Sequence, residues 1–141
     1  MGTPGEAAIR EGHCLCGAVR FRTNGGPEST CWCHCTMCQR ASGAPAVAWA
    51  TFPVERVNWS GAIRAIYASS DIAERGFCGQ CGGALSFQYL RKRDLIDLAT
   101  AAFDETAGLA PTAHVFANTR LPWMDAGKGL PVRPPRPPRD D

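Results

Sequence analysis

Cys31-Trp32-Cys33-His34-Cys35-Thr36-Met37-Cys38 gathers four of the chain's eight cysteines, and the other four stand in two pairs. One pair lies in Gly12-His13-Cys14-Leu15-Cys16-Gly17, the other in Phe77-Cys78-Gly79-Gln80-Cys81-Gly82-Gly83. Cysteines one residue apart bond to each other only with strain, whereas their sulfurs converge readily on one ion. In a secreted chain eight cysteines would be read as a disulfide framework, but in a reducing compartment they stay free and bind metal. These spacings favour metal, and zinc is the expected ion.

Zinc takes four ligands in a tetrahedron, with sulfur at about 2.3 Å; a structural site fills all four positions and a catalytic site leaves one open. The pairs Cys14/Cys16 and Cys78/Cys81 offer two sulfurs each and together complete a closed, structural site. In the second pair the glycines permit the tight turn that aims backbone N–H groups at the thiolates. Cys33, Cys35 and Cys38 form C-x-C-x-x-C, which delivers three sulfurs and leaves a position free. Cys31 keeps two alternatives open, since it would close this second site if it reached it. Extended backbone puts it roughly 13 Å from Cys35, which opposes closure unless the chain folds back. Otherwise Cys31 is a small buried hydrophobe. His34, on a strand, points away from Cys33 and Cys35 and is expected to be a bystander.

The rest of the chain reads as short strands. Ala18-Val19-Arg20-Phe21-Arg22-Thr23 alternates apolar and polar, the mark of a half-buried strand, and Gly25-Gly26-Pro27 ends it. Residues 47–52, 63–68, 85–89, 95–99 and 112–116 are further candidates, most of them bounded by Gly, Pro, Asn or Ser. The expected fold class is mainly β, small packed antiparallel sheets stapled by zinc. A core of this size gains needed stability from metal crosslinks. Residues 1–11 read as a flexible leader, 12–130 as one zinc-binding β domain, and 131–141 as a Pro/Arg-rich disordered tail of polyproline type.

The chain has 141 residues, 45% hydrophobic and 20% charged, with a formal net charge of +2. Lys128, Arg133, Arg136, Arg139, Asp140 and Asp141 account for all of that charge, so the first 127 residues are neutral. No basic stripe marks a nucleic-acid surface. No apolar run approaches the roughly 18–20 residues that cross a bilayer. The N-terminus lacks a secretory pattern, and Glu6 stands where a myristoylation motif wants Ser or Thr. A cytoplasmic location is expected.

Three thiolates make zinc a soft, weakly Lewis-acidic centre, better suited to a substrate thiol than to activating water. A bound thiolate would attack an electrophilic carbon. Arg40, two residues past Cys38, is placed to offset the negative charge.

The segments Gly12-x-Cys14-x-Cys16-Gly17-x-Val19-Arg20-Phe21, Cys33-His34-Cys35-x-x-Cys38-x-Arg40-x-x-Gly43-Ala44 and Phe77-Cys78-x-x-Cys81-Gly82 resemble the glutathione-dependent formaldehyde-activating enzyme family. That family also includes centromere protein V. Pro111-x-x-His114-x-Phe116, Arg120-x-Pro122-Trp123 and Gly129-Leu130-Pro131 look like its C-terminal pattern. The resemblance implies an Mss4-like fold, a structural zinc on Cys14, Cys16, Cys78 and Cys81, and a second zinc on Cys33, Cys35 and Cys38. It also implies a carbon–sulfur lyase that joins glutathione to formaldehyde as S-(hydroxymethyl)glutathione. Cys31 is not among the family's usual ligands, and Lys128 stands where the family often has Asp.

Glutathione is anionic at both ends and calls for cations, for which Arg40, Arg75 and Arg120 are candidates, with Trp49 and Trp123 as walls. The competing readings are a non-catalytic zinc module that binds a protein or nucleic acid, and a redox- or metal-responsive protein whose C-x-C-x-x-C zinc leaves on oxidation.

Overall fold

A computed structural model describes residues 8–136; the start of the leader and residues 137–141 of the tail lie outside the described residues. In chain order the elements are β1 (Ile9–His13), β2 (Val19–Asn24), β3 (Ser29–Cys33), α1 (Thr36–Ser42), β4 (Val47–Pro53), β5 (Val57–Gly61), β6 (Ala65–Ala68), β7 (Ala73–Phe77), β8 (Ala84–Tyr89), β9 (Leu95–Ala99) and β10 (His114–Val115). They form a three-stranded sheet, β1-β2-β5, and a seven-stranded sheet, β10-β3-β4-β9-β8-β7-β6. Every pairing is antiparallel except β10 with β3, which is parallel. The fold is therefore mainly β, though one sheet is larger than the sequence suggested and is mixed at its edge.

Side-chain alternation gives each sheet its two faces. In β2, Val19, Phe21 and Thr23 are buried while the intervening arginines and Asn24 are exposed. This apolar face packs on the large sheet. Val19, Phe21 and Val57 join Ala50, Phe52, Ile96, Leu98, Phe103 and Leu109 in the main core, with Phe21 edge-on to Phe103 at 4.9 Å. Gly12 lies under the Phe21 ring, and a Cβ there would collide with that ring and with the Ala102 carbonyl. The odd-numbered residues of β4 and β9 point to the opposite face of the large sheet, where Trp49, Thr51 and Asp97 line a cavity. A register shift where β7 meets β8 swings Leu85 into the core while Phe87 and Tyr89 face that cavity.

Two strands carry no clean alternating signal, and a third carries only a short one. β3 is made largely of cysteines and Trp32, β7 carries Glu74, Arg75 and Gly76, and β5 alternates over Val-Asn-Trp-Ser alone. Long-range pairing holds them in place rather than local propensity. The domain limits also shift. Ile9 and Arg10 belong to β1, because they pair with Asn24 and Thr23. Beyond residue 130 the chain stays on the protein as far as described, with Val132 bridged to His114. No helix among the described residues is long and apolar enough to cross a membrane.

Leu98 is fully buried on the central strand β9. Leu98→Ala is expected to lower the unfolding free energy by about 2–5 kcal/mol, read by chemical denaturation.

Candidate metal centres and cavity

All eight cysteines are free thiols. Seven of them fall into two clusters that could each hold a metal ion, with the sulfurs of each cluster within 4.8 Å of one another.

Cys14, Cys16, Cys78 and Cys81 form the first. Cys14 and Cys16 follow β1 and Cys78 and Cys81 follow β7, so the cluster ties the small sheet to the large one. Backbone N–H groups converge on the sulfurs. Val19 donates to Cys14 at 3.4 Å, Gln80 and Cys81 to Cys78 at 3.3 and 3.4 Å, and Gly83 to Cys81 at 3.4 Å. Gly82 takes the left-handed conformation (φ 78°) that turns the chain back at this point. Burial raises the Cys14 thiol, but the Val19 N–H and the neighbouring thiols outweigh it and draw it down to about 6. Although the Ala18 N–H opposes it, burial and the Cys14, Cys78 and Cys81 thiols push Cys16 up to about 11, so the crowded thiols share negative charge unevenly until a cation is counted.

Cys33, Cys35 and Cys38 form the second cluster. Cys33 ends β3, Cys35 caps α1 and Cys38 lies in the first turn, so one strand-to-helix turn brings the three together. The Cys38 N–H donates to Cys35 Sγ at 3.2 Å. Arg75, from β7, aims both terminal nitrogens at Cys38 Sγ at 3.5 Å. Contacts from the Cys33 and Cys38 thiols, with the Cys38 N–H and Arg75, hold the Cys35 thiol far below the ordinary range. Contacts with the Cys35 and Cys38 thiols, with burial, push the Cys33 thiol up. Three crowded sulfurs cannot all lose their protons unaided, and a soft cation is what would let them.

Cys31 lies on the same face of β3 as Cys33 and lines the same cavity, but its sulfur is not among those that converge. Burial and nearby Asp97 push its thiol up to about 12.

The cavity holds about 370 Å³. Trp49, Phe87, Tyr89 and Val115 wall it, with the three sulfurs at one side. Phe116, on its rim, adopts a left-handed backbone (φ 56°), which costs a non-glycine residue roughly 1–2 kcal/mol. Of the residues singled out for substrate binding, Trp49 and Arg75 line the cavity, whereas Arg40, Arg120 and Trp123 do not. Arg40 is exposed in the last turn of α1 and is not among the residues that line the cavity. Arg120 donates Nε to the Met124 carbonyl at 2.9 Å, and Trp123 is 67% exposed.

The turn that carries the sulfurs is braced from behind by residues whose roles no spacing rule reveals. Gln39 Nε2 reaches the carbonyls of His34, Pro45 and Thr119, and Thr119 Oγ1 donates to the His34 carbonyl at 2.7 Å. The His34 ring is buried away from the cavity, with Nε2 2.7 Å from His114 Nδ1. His114 Nε2 in turn lies 2.7 Å from the Gly127 carbonyl. A carbonyl only accepts, so His114 carries its proton on Nε2 and receives the His34 Nε2–H on Nδ1. Burial, with His114 and Arg120, pushes the His34 pKa down and keeps that ring neutral.

Residues 9–119 match the family described as glutathione-dependent formaldehyde-activating enzyme. An uncharacterized lyase of Schizosaccharomyces pombe is 36% identical over 80 residues, covering 56% of this chain and 57% of that protein. The chain thus spans little more than half the length of that relative. A Halomonas elongata protein provisionally named a glutathione-dependent formaldehyde-activating enzyme is 27% identical over 126 residues, 83% of this chain and 80% of that one. A crystal structure of a Rhodobacter sphaeroides protein superposes with a TM-score of 0.57 at 22% identity, over 87% of this chain and 99% of the other, and supports the fold.

The two clusters separate by mutation. Cys35→Ser is expected to halve the metal bound per chain, measured by elemental analysis, with the far-UV circular dichroism unchanged. Cys78→Ser unfastens the two sheets and is expected to lower the thermal midpoint by roughly 10 °C or more.

Proposed function

The chain belongs to the glutathione-dependent formaldehyde-activating enzyme family, and on that premise we propose that it is a zinc-dependent carbon–sulfur lyase joining glutathione or a similar small thiol to formaldehyde. The observation that carries this reading is that the three-sulfur cluster opens on a walled cavity while the Cys31 sulfur stays outside the cluster. Cys14, Cys16, Cys78 and Cys81 would hold a structural zinc, and Cys33, Cys35 and Cys38 a working one. When bound at the second cluster, zinc supplies a soft acceptor that favours the deprotonated form of an incoming thiol.

The chain's own residues shape the rest. Arg75 and the Cys38 N–H offset the negative charge that accumulates on the sulfurs. Trp49 and Phe87, 6.3 Å apart between ring centres, form an apolar wall that limits water beside the reacting sulfur. Gln39 and Thr119 fix the turn from behind, so the three sulfurs are held in place before substrate arrives. In the addition, the thiol gives up its proton and a sulfur–carbon bond forms at the carbonyl carbon. The carbonyl π pair moves to oxygen, which takes up a proton to give the hydroxymethyl thioether. Free thiols throughout fit a reducing compartment, and we place the activity in the cytoplasm.

Exchange between glutathione, formaldehyde and their adduct, followed by NMR, tests this reading. The zinc-loaded protein is expected to accelerate exchange over the spontaneous rate. Cys35→Ser is expected to return it to background, while Cys31→Ser keeps it within a few-fold. Exchange at the spontaneous rate with wild-type protein would remove the assignment.

A further inference from the structure

Four charged side chains line the cavity: Arg75, Arg133, Arg136 and Asp97. Arg75 is committed to Cys38 and lies over Phe87 at 5.1 Å. The other two arginines come from residues 131–136, beyond the 9–119 span that matches the family.

The segment is held by backbone before its side chains are considered. The His114 N–H donates to the Pro131 carbonyl and the Arg133 N–H to the His114 carbonyl, each at 2.9 Å. Pro134 and Pro135 then keep the chain extended and prevent it from pairing further as a strand. A polyproline-type segment repeats every three residues, which puts Arg133 and Arg136 on one side. That side faces the cavity, and both arginines are half-buried while Pro134 between them is exposed.

Arg136 lies over the Tyr89 ring at 5.2 Å and places Nη1 3.3 Å from Asp97 Oδ1, which also accepts from Thr51 Oγ1. Its Nε and Nη2 are buried without a hydrogen-bond partner among the described residues. Among those residues the Arg133 side chain makes one long contact, Nη2 to the Thr30 carbonyl at 3.4 Å. Buried guanidinium N–H groups lacking acceptors are costly, and the fork they present matches a carboxylate. The cavity therefore has sulfurs at one side, apolar walls, and under-used cations contributed by residues 131–136, a strap across it.

We propose that Arg133 and Arg136 form a carboxylate-binding subsite, so that the preferred substrate is a thiol carrying a carboxylate remote from its sulfur. This rests on the reading that the cavity accepts a thiol substrate. Asp97 orients Arg136 without saturating it, and the residues of the strap set specificity rather than perform the chemistry.

The test uses S-methylglutathione, whose blocked sulfur isolates the contribution of the carboxylates, and its dimethyl ester as the control that lacks carboxylates but keeps the ammonium. Calorimetric titration of the full-length, zinc-loaded protein is expected to show the acid binding about tenfold or more tightly than the ester. In Arg133→Gln/Arg136→Gln that preference is expected to vanish, with ester affinity, zinc content and circular dichroism unchanged. Arg136→Lys, which keeps the charge and loses the fork, is expected to retain part of the preference. Equal binding of acid and ester by wild type, binding of neither, or an undiminished preference in the double variant would overturn the subsite. Accelerated formaldehyde adduct exchange alongside any of those results would discard the subsite and leave the thiol-addition reading standing. Acid preference lost in the variant, with no acceleration in wild type, would support the subsite and discard the addition reading.

Discussion

Sulfur converging on sulfur is the constraint on which the rest of this structure depends. Cys14 and Cys16 at the turn after β1, and Cys78 and Cys81 at the turn after β7, bring four thiols within 4.8 Å of one another across two sheets. Crowded thiols resist joint ionisation, and backbone N–H groups relieve only part of that cost. A metal ion there would convert the repulsion into a crosslink, and the β1-β2-β5 sheet would be clamped over Phe52, Ile96 and Leu98.

With one face of the seven-stranded sheet committed to that core, the other face is free to be a site. The same strands serve both. In β4, Ala50 and Phe52 pack inward while Trp49 and Thr51 line the cavity; in β9, Ile96 and Leu98 pack inward while Asp97 faces out. Positions that shape the cavity are thus one residue away from positions that hold the fold together. The bulge at Leu85 keeps Phe87 and Tyr89 on the cavity side without sacrificing a core residue. The second cysteine cluster sits at the end of β3, where strand gives way to α1, and Gln39, Thr119 and the buried His34–His114 pair lock that corner.

Much of this was legible in the residues themselves, because metal-ligand spacing is local. The partition of seven cysteines into a set of four and a set of three follows from two pairs and one C-x-C-x-x-C, and the sulfurs group in that way. Val19 and Phe21 were likewise readable from alternation. What escaped was whatever depends on distant pairing. β3 looks like a ligand loop because it carries Cys31 and ends in the candidate ligand Cys33, and β7 looks polar because Arg75 has a partner on α1. Proximity in sequence favoured Arg40 as the compensating cation, but α1 turns it to solvent, and Arg75 occupies that place from 37 residues away. The repeat Arg-Pro-Pro-Arg reads as a solvated tail, and its docking depends on one backbone bridge to His114 that nothing local encodes.

The claim on which the functional reading turns is that the second metal position has room for a sulfur from outside the protein. Cobalt(II) in place of zinc would make this visible, since its d–d and thiolate charge-transfer bands report the ligand set. Titrating glutathione into the cobalt protein is expected to change the bands of the Cys33/Cys35/Cys38 centre and leave those of the other centre alone, with the same change in Cys31→Ser. A spectrum unmoved by glutathione in wild type, but responsive once Cys31 is removed, would mean that Cys31 closes the site and would contradict an open, thiol-accepting centre.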